Sequence, residues 1–554
     1  MPKIKSAIVI SVLGLALSAS PLLAATKKKT KAKPTAGSTT TRAPSAPAVA
    51  PAGHSFLDGM LIAPSGTSVV LQKDGADDVT VIAGPSATGF SVSTFKFPKS
   101  YPNGSPYTLA IKTSSAGISC TVEKGVRGTI GLSPGFLRVG CDATFDLVSR
   151  SLDNTKFGTA FDSSVPVIGG DFGSEGRFVA FVSSAVGLGG STGKKRQIVW
   201  RDRTTGQTKL ASVGANGVEG DGDSFAPAIS ADGNVVAFES YAKNLVPNDT
   251  NGVRDVIVWN ATTGAVVRVS VGQGGAEANG ESTEPSISGD GNVVAFSSGA
   301  SNLALGVQGI NTLNVYRRDL SAGSTTLITK DSSGQGVGGS SASISNDGAR
   351  VAFYSYSATL VAGDANGLWD NFVFDASNSS VKRVTLTASG GERNQGTESI
   401  SRLVAPSISG NGFFVAFATT SSNVVPGDTN GTQDVFVVNV DTGAVQRVST
   451  GSDGSEGNGD SPVGQGEKIG ISFDGSWVTF SSTASNLGGS IVLKNLTNGE
   501  ARPLSQTSGA GRPMVARNGG YVVFSAGAKL DSRYSSSGIF ARYTGLTRCH
   551  ACVG

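Results

Sequence analysis

The sequence predicts an all-β protein, a seven-bladed β-propeller preceded by a small β-sandwich. The first of three observations behind this is the stretch Pro285-Ser-Ile-Ser-Gly-Asp-Gly-Asn-Val-Val-Ala-Phe296, which recurs in close copies starting at Pro227 and Pro406. Looser copies contain Asn346-Asp-Gly348, Phe473-Asp-Gly475 and Arg517-Asn-Gly519, and an opening one ends at Ser174-Glu-Gly176. An apolar strand, a D-G or N-G turn needing positive φ, and a second β-branched strand together form a hairpin signal. The second observation is the spacing. Anchored on Phe181, Phe238, Phe296, Phe353, Phe417, Phe480 and Phe524, the steps are 57, 58, 57, 64, 63 and 44 residues. A period of that size marks a repeat architecture. The third is composition: 76 Gly, 7% aromatic residues and only 3 Met describe a turn-rich β chain. Beyond the N-terminus no long segment places apolar residues at i, i+3, i+4 and i+7.

In chain order, Lys3 and Lys5 precede an apolar run from Ala7 to Leu17 and a small-residue end at Leu23-Ala-Ala25. Residues 1–25 therefore read as a secretory signal, with a run too short for a comfortable membrane span. Leu22 and Leu23 depart from an A-x-A cleavage site, which leaves an uncleaved anchor as the alternative. Residues 26–53 are Lys, Thr, Pro, Ala and Ser without a large aliphatic cluster, a composition that cannot bury enough surface to fold. The eight basic residues of 1–53 meet no acid, so the formal +4 of the whole chain becomes −4 for the rest. The linker reads as a spacer, or as a docking tract for an anionic wall or membrane surface. Export and an acidic body argue against nucleic-acid binding.

Residues 54–155 lack the repeat. Short alternating runs such as Val69-Val-Leu, Val79-Thr-Val-Ile and Tyr107-Thr-Leu-Ala-Ile, separated by Gly, Pro, Asn and Ser, predict a sandwich. Tyr107-Thr-Leu-Ala-Ile111, Gly117-Ile-Ser-Cys-Thr-Val122 and Leu137-Arg-Val-Gly-Cys141 resemble small Ig-like modules of bacterial surface proteins. The resemblance implies a Cys120–Cys141 disulfide, which would contribute about 3 kcal/mol in the chain-entropy model. Spacing or adhesion is the role it implies for the module.

From residue 156 to 554 each repeat parses into four strands. In the second they are Pro227-Ala-Ile-Ser, Val235-Val-Ala-Phe, Asp255-Val-Ile-Val-Trp and Val266-Val-Arg-Val-Ser. Four antiparallel strands in seven units make a propeller, with six or eight blades left open by the short last interval. The S-x-D-G turns and D-V-F-V strands resemble the TolB-like (WD40-like) propellers of the bacterial envelope, whose type member is six-bladed. That resemblance implies the fold and an exported location, periplasmic, at the cell surface or extracellular. It does not fix function, since one fold hosts many. Leu546 to Ala551 aligns with the outer strand of the other repeats and is expected to close the ring. Phe157-Gly-Thr-Ala-Phe161 is the alternative.

The strongest chemical signal lies between the second and third strands. Asp249-Thr-Asn251-Gly-Val-Arg-Asp255, Asp364-Ala-Asn366-Gly-Leu-Trp-Asp370 and Asp428-Thr-Asn430-Gly-Thr-Gln-Asp434 share D-x-N-G-x-x-D. Two carboxylates and an amide oxygen around a Gly turn are hard ligands of the kind Ca²⁺ takes, without the spacing of an EF-hand. The same residues also suit Asx-turns that tie loop to strand. A second acidic family joins the fourth strand to the next repeat: Glu219-Gly-Asp-Gly-Asp-Ser224, Glu277-Ala-Asn-Gly-Glu-Ser282 and Glu456-Gly-Asn-Gly-Asp-Ser461. Both families emerge on one propeller face. That acidic rim, with Tyr241, Tyr356 and Trp369, is the expected binding surface for a protein or a cell-wall glycan.

Catalysis has little support. His54 and His550 are the only histidines, both near the ends of the folded chain. Gly189-Gly-Ser-Thr-Gly193 precedes a strand, whereas a nucleophile elbow needs a following helix. Cys549-His-Ala-Cys552 suits a tight disulfide at the terminus and falls short of a closed zinc site. The expectation is a monomeric, exported, non-catalytic binding or scaffold protein with no cofactor beyond Ca²⁺. A carboxylate-dependent glycan-active enzyme and a purely structural wall or adhesion protein are the alternatives.

Overall fold

Strands Phe178–Ser183 and Val293–Ser298 are buried at every residue, as an uninterrupted apolar run requires of a strand covered on both faces. The computed structural model describes residues 50 to 544, apart from 65–66, 85–89, 115–117, 125–126, 132–136, 144–145, 150–162, 171–175, 308–311, 395–403, 463–466, 506–509 and 527–537. The signal pattern, nearly all of the basic linker, Phe157–Phe161, Leu546–Ala551, His550, Cys549 and Cys552 lie outside the described residues.

Residues 54–143 form two four-stranded sheets around one core that includes Leu61, Leu71, Phe97, Leu109 and Val139. The first strand, His54–Pro64, pairs antiparallel with Phe90–Pro102 and parallel with Leu137–Ala143. Cys120 stands opposite Cys141 in the antiparallel register of Ile118–Lys124 with Leu137–Ala143, and Cys120 is disulfide-bonded.

Seven four-stranded antiparallel sheets then follow among the described residues, numbered here one to seven. The first strand of each touches the first strand of the next, and Gly511–Val515 touches Ser164–Gly169. This closed ring of first strands is the inner wall of a β-propeller. Each anchor phenylalanine lies on a second strand and is fully buried. Four of them stack on an aromatic of the third strand, as Phe353 does on Phe372 with centroids 5.7 Å apart.

The S-x-(D/N)-G turn has a specific local cause. Ser230 donates to Asp232 at 2.6 Å and accepts the Val235 N–H at 2.9 Å, fixing the hairpin from inside. Serines 288, 345, 409 and 472 repeat both bonds. Glycine is required for two reasons: Gly233 has φ of 75°, and a Cβ there would lie 2.1 Å from the Phe178 ring of the preceding sheet.

Closure departs from the expectation. The outer strand of the seventh sheet is Asp146–Leu147, pairing as Ala541↔Asp146 and Phe540↔Leu147. These residues lie inside the range the sequence assigns to the sandwich. Leu147 is 2% exposed and joins the core with Phe524 and Phe540, while Val148 packs with Phe181 and Ile539 where the seventh sheet meets the first. A two-residue strand carries no periodicity, so its apolar pair is not distinguishable in sequence from a linker.

Candidate functional site

The three D-x-N-G-x-x-D loops fold alike. In the second sheet Asn251 Oδ1 accepts the Val253 N–H at 3.0 Å, an Asx-turn, and its amide nitrogen points to Asp255 at 3.2 Å. Asn366 and Asn430 repeat both contacts, toward Asp370 at 2.9 Å and Asp434 at 2.8 Å. The last aspartate starts the third strand and is buried: Asp255 is 1% exposed, and Asp370 and Asp434 are 0%. A hydroxyl two residues past the end of the fourth strand donates to each, Ser270 at 2.5 Å, Thr385 at 2.6 Å and Ser449.

An arginine stands where the sequence suggests a cation. Arg268 lies 3.7 Å from Asp249, 3.4 Å from Asp255 and 2.6 Å from Glu277. Arg383 lies 2.8 Å from Asp364, 3.6 Å from Asp370 and 2.7 Å from Glu392. Arg447 lies 3.4 Å from Asp428 and 3.8 Å from Asp434, and it also pairs with Glu456. The glutamate sits nine residues after the arginine each time, and in two of the three clusters, as Glu277 and Glu456, it belongs to the second acidic loop family. It reaches back to the first: Glu277 accepts the Thr250 N–H at 3.0 Å, and Glu456 accepts the Thr429 N–H at 2.8 Å.

The electrostatics follow from crowded, half-neutralised acids. Burial pushes Asp255 up to about 6 against the pull of Ser270 and Arg268. Burial and then the Asp434 charge push Asp428 up to about 6. Glu456 is held down at about 2, because the Thr429 groups and Arg447 outweigh its burial. Such values would suit acid catalysis elsewhere. Here the side chains of Asp255 and Asp428 are 1% and 5% exposed.

Register shows that acid and arginine form one unit. Counting from each anchor phenylalanine, the positions of Asp255 and Arg268 are Gln197 and Leu210 in the first sheet, and Asn314 and Leu327 in the third. They are Ser490 and Pro503 in the sixth, and Gly538 and Leu147 in the seventh. Three sheets have both charges and four have neither. Diagonal neighbours on one sheet face must be neutralised together or replaced together.

These contacts bear on calcium. The Asn oxygen of each loop is taken by a backbone N–H, and the carboxylates surround a guanidinium. Asp249 Oδ1 is the one buried carboxylate oxygen of these loops without a bond. Asp249, Asp255 and Glu277, and likewise Asp428, Asp434 and Glu456, bring carboxylate oxygens within 4.8 Å of one another, a grouping that could hold a metal ion, and Arg268 and Arg447 compete for those same oxygens. The second acidic family is also committed to protein groups. Asp223 accepts the Arg196 N–H at 2.9 Å, Glu281 pairs with Arg254 at 2.7 Å, and Asp460 accepts the Gln433 N–H at 3.0 Å. The arginines were the residues missed in sequence. Their signal, R-V-(S/T) on the fourth strand of only the three sheets with D-x-N-G-x-x-D, is present in the chain.

Of the remaining rim residues, Tyr241 and Tyr356 are exposed. Trp369 is half-buried between Tyr354 and Tyr356, with centroids at 5.3 and 5.6 Å. His54 opens the first sandwich strand, and Gly189-Gly-Ser-Thr-Gly193 belongs to a loop in which Ser191 donates to Glu219 at 2.9 Å.

No protein-family model matches the sequence, and no curated protein matches it. Among solved structures, the fold is similar to a TolB from Agrobacterium tumefaciens described as putative, at 15% identity and TM-score 0.33, covering 61% of this chain and 95% of that one. It is similar to oligogalacturonate lyase from Vibrio parahaemolyticus at 13% identity and TM-score 0.44, covering 79% and 98%. The propeller domain of the Trilobed protease from Pyrococcus furiosus gives 13% identity and TM-score 0.42, covering 71% and 95%. These neighbours share the propeller fold and differ in activity. The closed ring of sheets makes the chain a β-propeller similar to TolB-like proteins.

Proposed function

We propose that this is an exported, non-catalytic binding protein that holds a protein partner on the propeller face built by the second-to-third-strand and inter-sheet loops. The distribution of exposed apolar side chains carries this reading. Nine large hydrophobics are exposed among the described residues, and six lie on that face: Val186, Val218, Tyr241, Leu305, Leu313 and Tyr356. They span four consecutive sheets, and Leu305 is 89% exposed. Apolar groups gathered on one face mark an interaction surface. Aliphatic Val and Leu suit the apolar surface of a protein better than the hydroxyls of a sugar. The acids of the same face are neutralised from within, which favours apolar contact over capture of cations or basic peptides. Export rests on the signal pattern of residues 1–25, and the basic linker then serves as a spacer or a wall- or membrane-docking tract.

Photo-crosslinking from Val218 and Leu305 in cells should give one discrete adduct, which Leu305→Lys combined with Tyr241→Ala removes. The same probe at Asn292 or Asn498, in turns on the opposite face, should give none. Equal adducts from both faces would defeat the proposal.

We further propose that the three acid–arginine clusters are structural ties in place of calcium sites. Excess Ca²⁺ and chelator should then leave the melting temperature within about 1 °C of one another, since a ligand of the native state must raise it. A rise of several degrees in Ca²⁺ would reinstate the metal.

A further inference from the structure

The face with the exposed apolar side chains is also asymmetric in charge. Among the described residues its exposed lysines are Lys194, Lys195, Lys243 and Lys330, all in loops of the first three sheets. None of their ammonium groups is paired with a described carboxylate. The acids beside them are held by protein donors. Glu219 accepts the Thr192 N–H at 3.0 Å, Asp221 accepts the Lys243 N–H at 2.8 Å, and Glu281 pairs with Arg254 at 2.7 Å. Resting on the docking role of this face, we propose that its partner is a protein with an acidic docking surface, whose aspartate and glutamate side chains meet these lysines around an apolar centre.

Loop contacts make the lysines a border of the apolar patch. A Cβ on Gly193 would lie 2.5 Å from Val186, so the Val186 side chain rests against the turn that carries Lys194 and Lys195. Glu219, next to Val218, ties that turn to the following loop, where Asn244 Nδ2 donates to the Glu219 carbonyl at 2.9 Å. Tyr241 and Lys243 stand on this second loop, both exposed. Farther round the ring, the Gly336 N–H donates to the Gly306 carbonyl at 3.0 Å, which holds the loop of Lys330 against that of Leu305. The corresponding loops of the fifth and sixth sheets hold no lysine and no exposed large hydrophobic among the described residues. Free cations and free apolar groups therefore coincide. An ammonium bordering an apolar patch loses water on docking and needs a carboxylate in its place, so the border selects acidic partners and rejects basic ones. The same sign repels the basic linker of residues 26–53, which argues against the chain's own tail as the occupant.

The test uses the full chain, cross-linked in cells from Val218 and Leu305, with the attached segment sequenced by mass spectrometry. The adduct should carry a peptide in which Asp and Glu flank apolar residues and outnumber Lys and Arg. Charge reversal by Lys194→Glu, Lys195→Glu and Lys243→Glu together should cut its yield about tenfold, and arginine at the same positions should keep it. Should the triple variant fail to fold, Lys330→Glu decides through the Leu305 adduct, which it should lower several-fold. An adduct unchanged by the glutamate substitutions, or one whose peptide is neutral or basic, overturns the proposal and leaves the docking face standing. A cross-linked glycan or lipid without peptide overturns it in favour of an anionic polymer or a membrane. No adduct, or equal adducts from Asn292 and Asn498, removes the face itself and the proposal with it, so the two failures are distinct.

Discussion

Replacing Arg447 with leucine is expected to lower the free energy of unfolding by about 3–5 kcal/mol, the loss seen when one partner of a buried ionic cluster is removed. Asp428, Asp434 and Glu456 would be left facing one another, and burial together with the Asp434 charge already pushes Asp428 up to about 6 with Arg447 in place. The Asp434 carboxylate retains Ser449 and Asn430 but no counter-charge. The third sheet shows the neutral solution to the same geometry. There Asn314 replaces the aspartate, Leu327 the arginine and Gly336 the glutamate, and Thr329 donates to the amide oxygen at 3.0 Å. Grafting that set, as Asp434→Asn, Arg447→Leu and Glu456→Gly, with Asp428→Asn added to remove the remaining charge, should therefore cost less than Arg447→Leu alone. Urea unfolding of the two variants measures this non-additivity. A single variant as stable as the parent would remove the arginine from its role and reopen the acids to another cation.

The second large effect is expected at ring closure. Leu147→Ala should cost about 2–4 kcal/mol, because the side chain is buried against Phe540 and a cavity would remain at the seam. A chain beginning at residue 163 should lose far more, since it exposes the unpaired edge of Gly538–Tyr543 along with the apolar groups covered by Leu147 and Val148. By contrast, a chain ending at residue 544 should melt within about 1 °C of the parent. If the C-terminal truncation proves the damaging one, Leu546–Ala551 closes the ring after all.

Repeat period, turn chemistry and strand pattern were legible in the sequence, because each is a local property. Phe238, the Asp232-Gly233 turn and the run Val235-Val-Ala-Phe dictate a hairpin wherever they occur. Repetition of that hairpin at a spacing near 57–64 residues leaves few folds except a ring. The residue types of the candidate loops were legible for the same reason: Asp249, Asn251 and Asp255 do gather around a glycine turn. What surrounds them was not. Arg268 arrives from a different strand thirteen residues after Asp255, and Glu277 from a loop nine residues further on. Only strand register brings the three together, and it sets an arginine among the carboxylates of the loop that reads in sequence as a calcium site. Closure by Asp146–Leu147 was hidden likewise, because its partner Phe540 is nearly four hundred residues away and two residues carry no period. The sequence by itself thus determined the building unit and its repetition, which depend on neighbours along the chain. Tertiary structure alone decided which charges are free, which face is apolar and where the ring shuts, because those depend on neighbours in space.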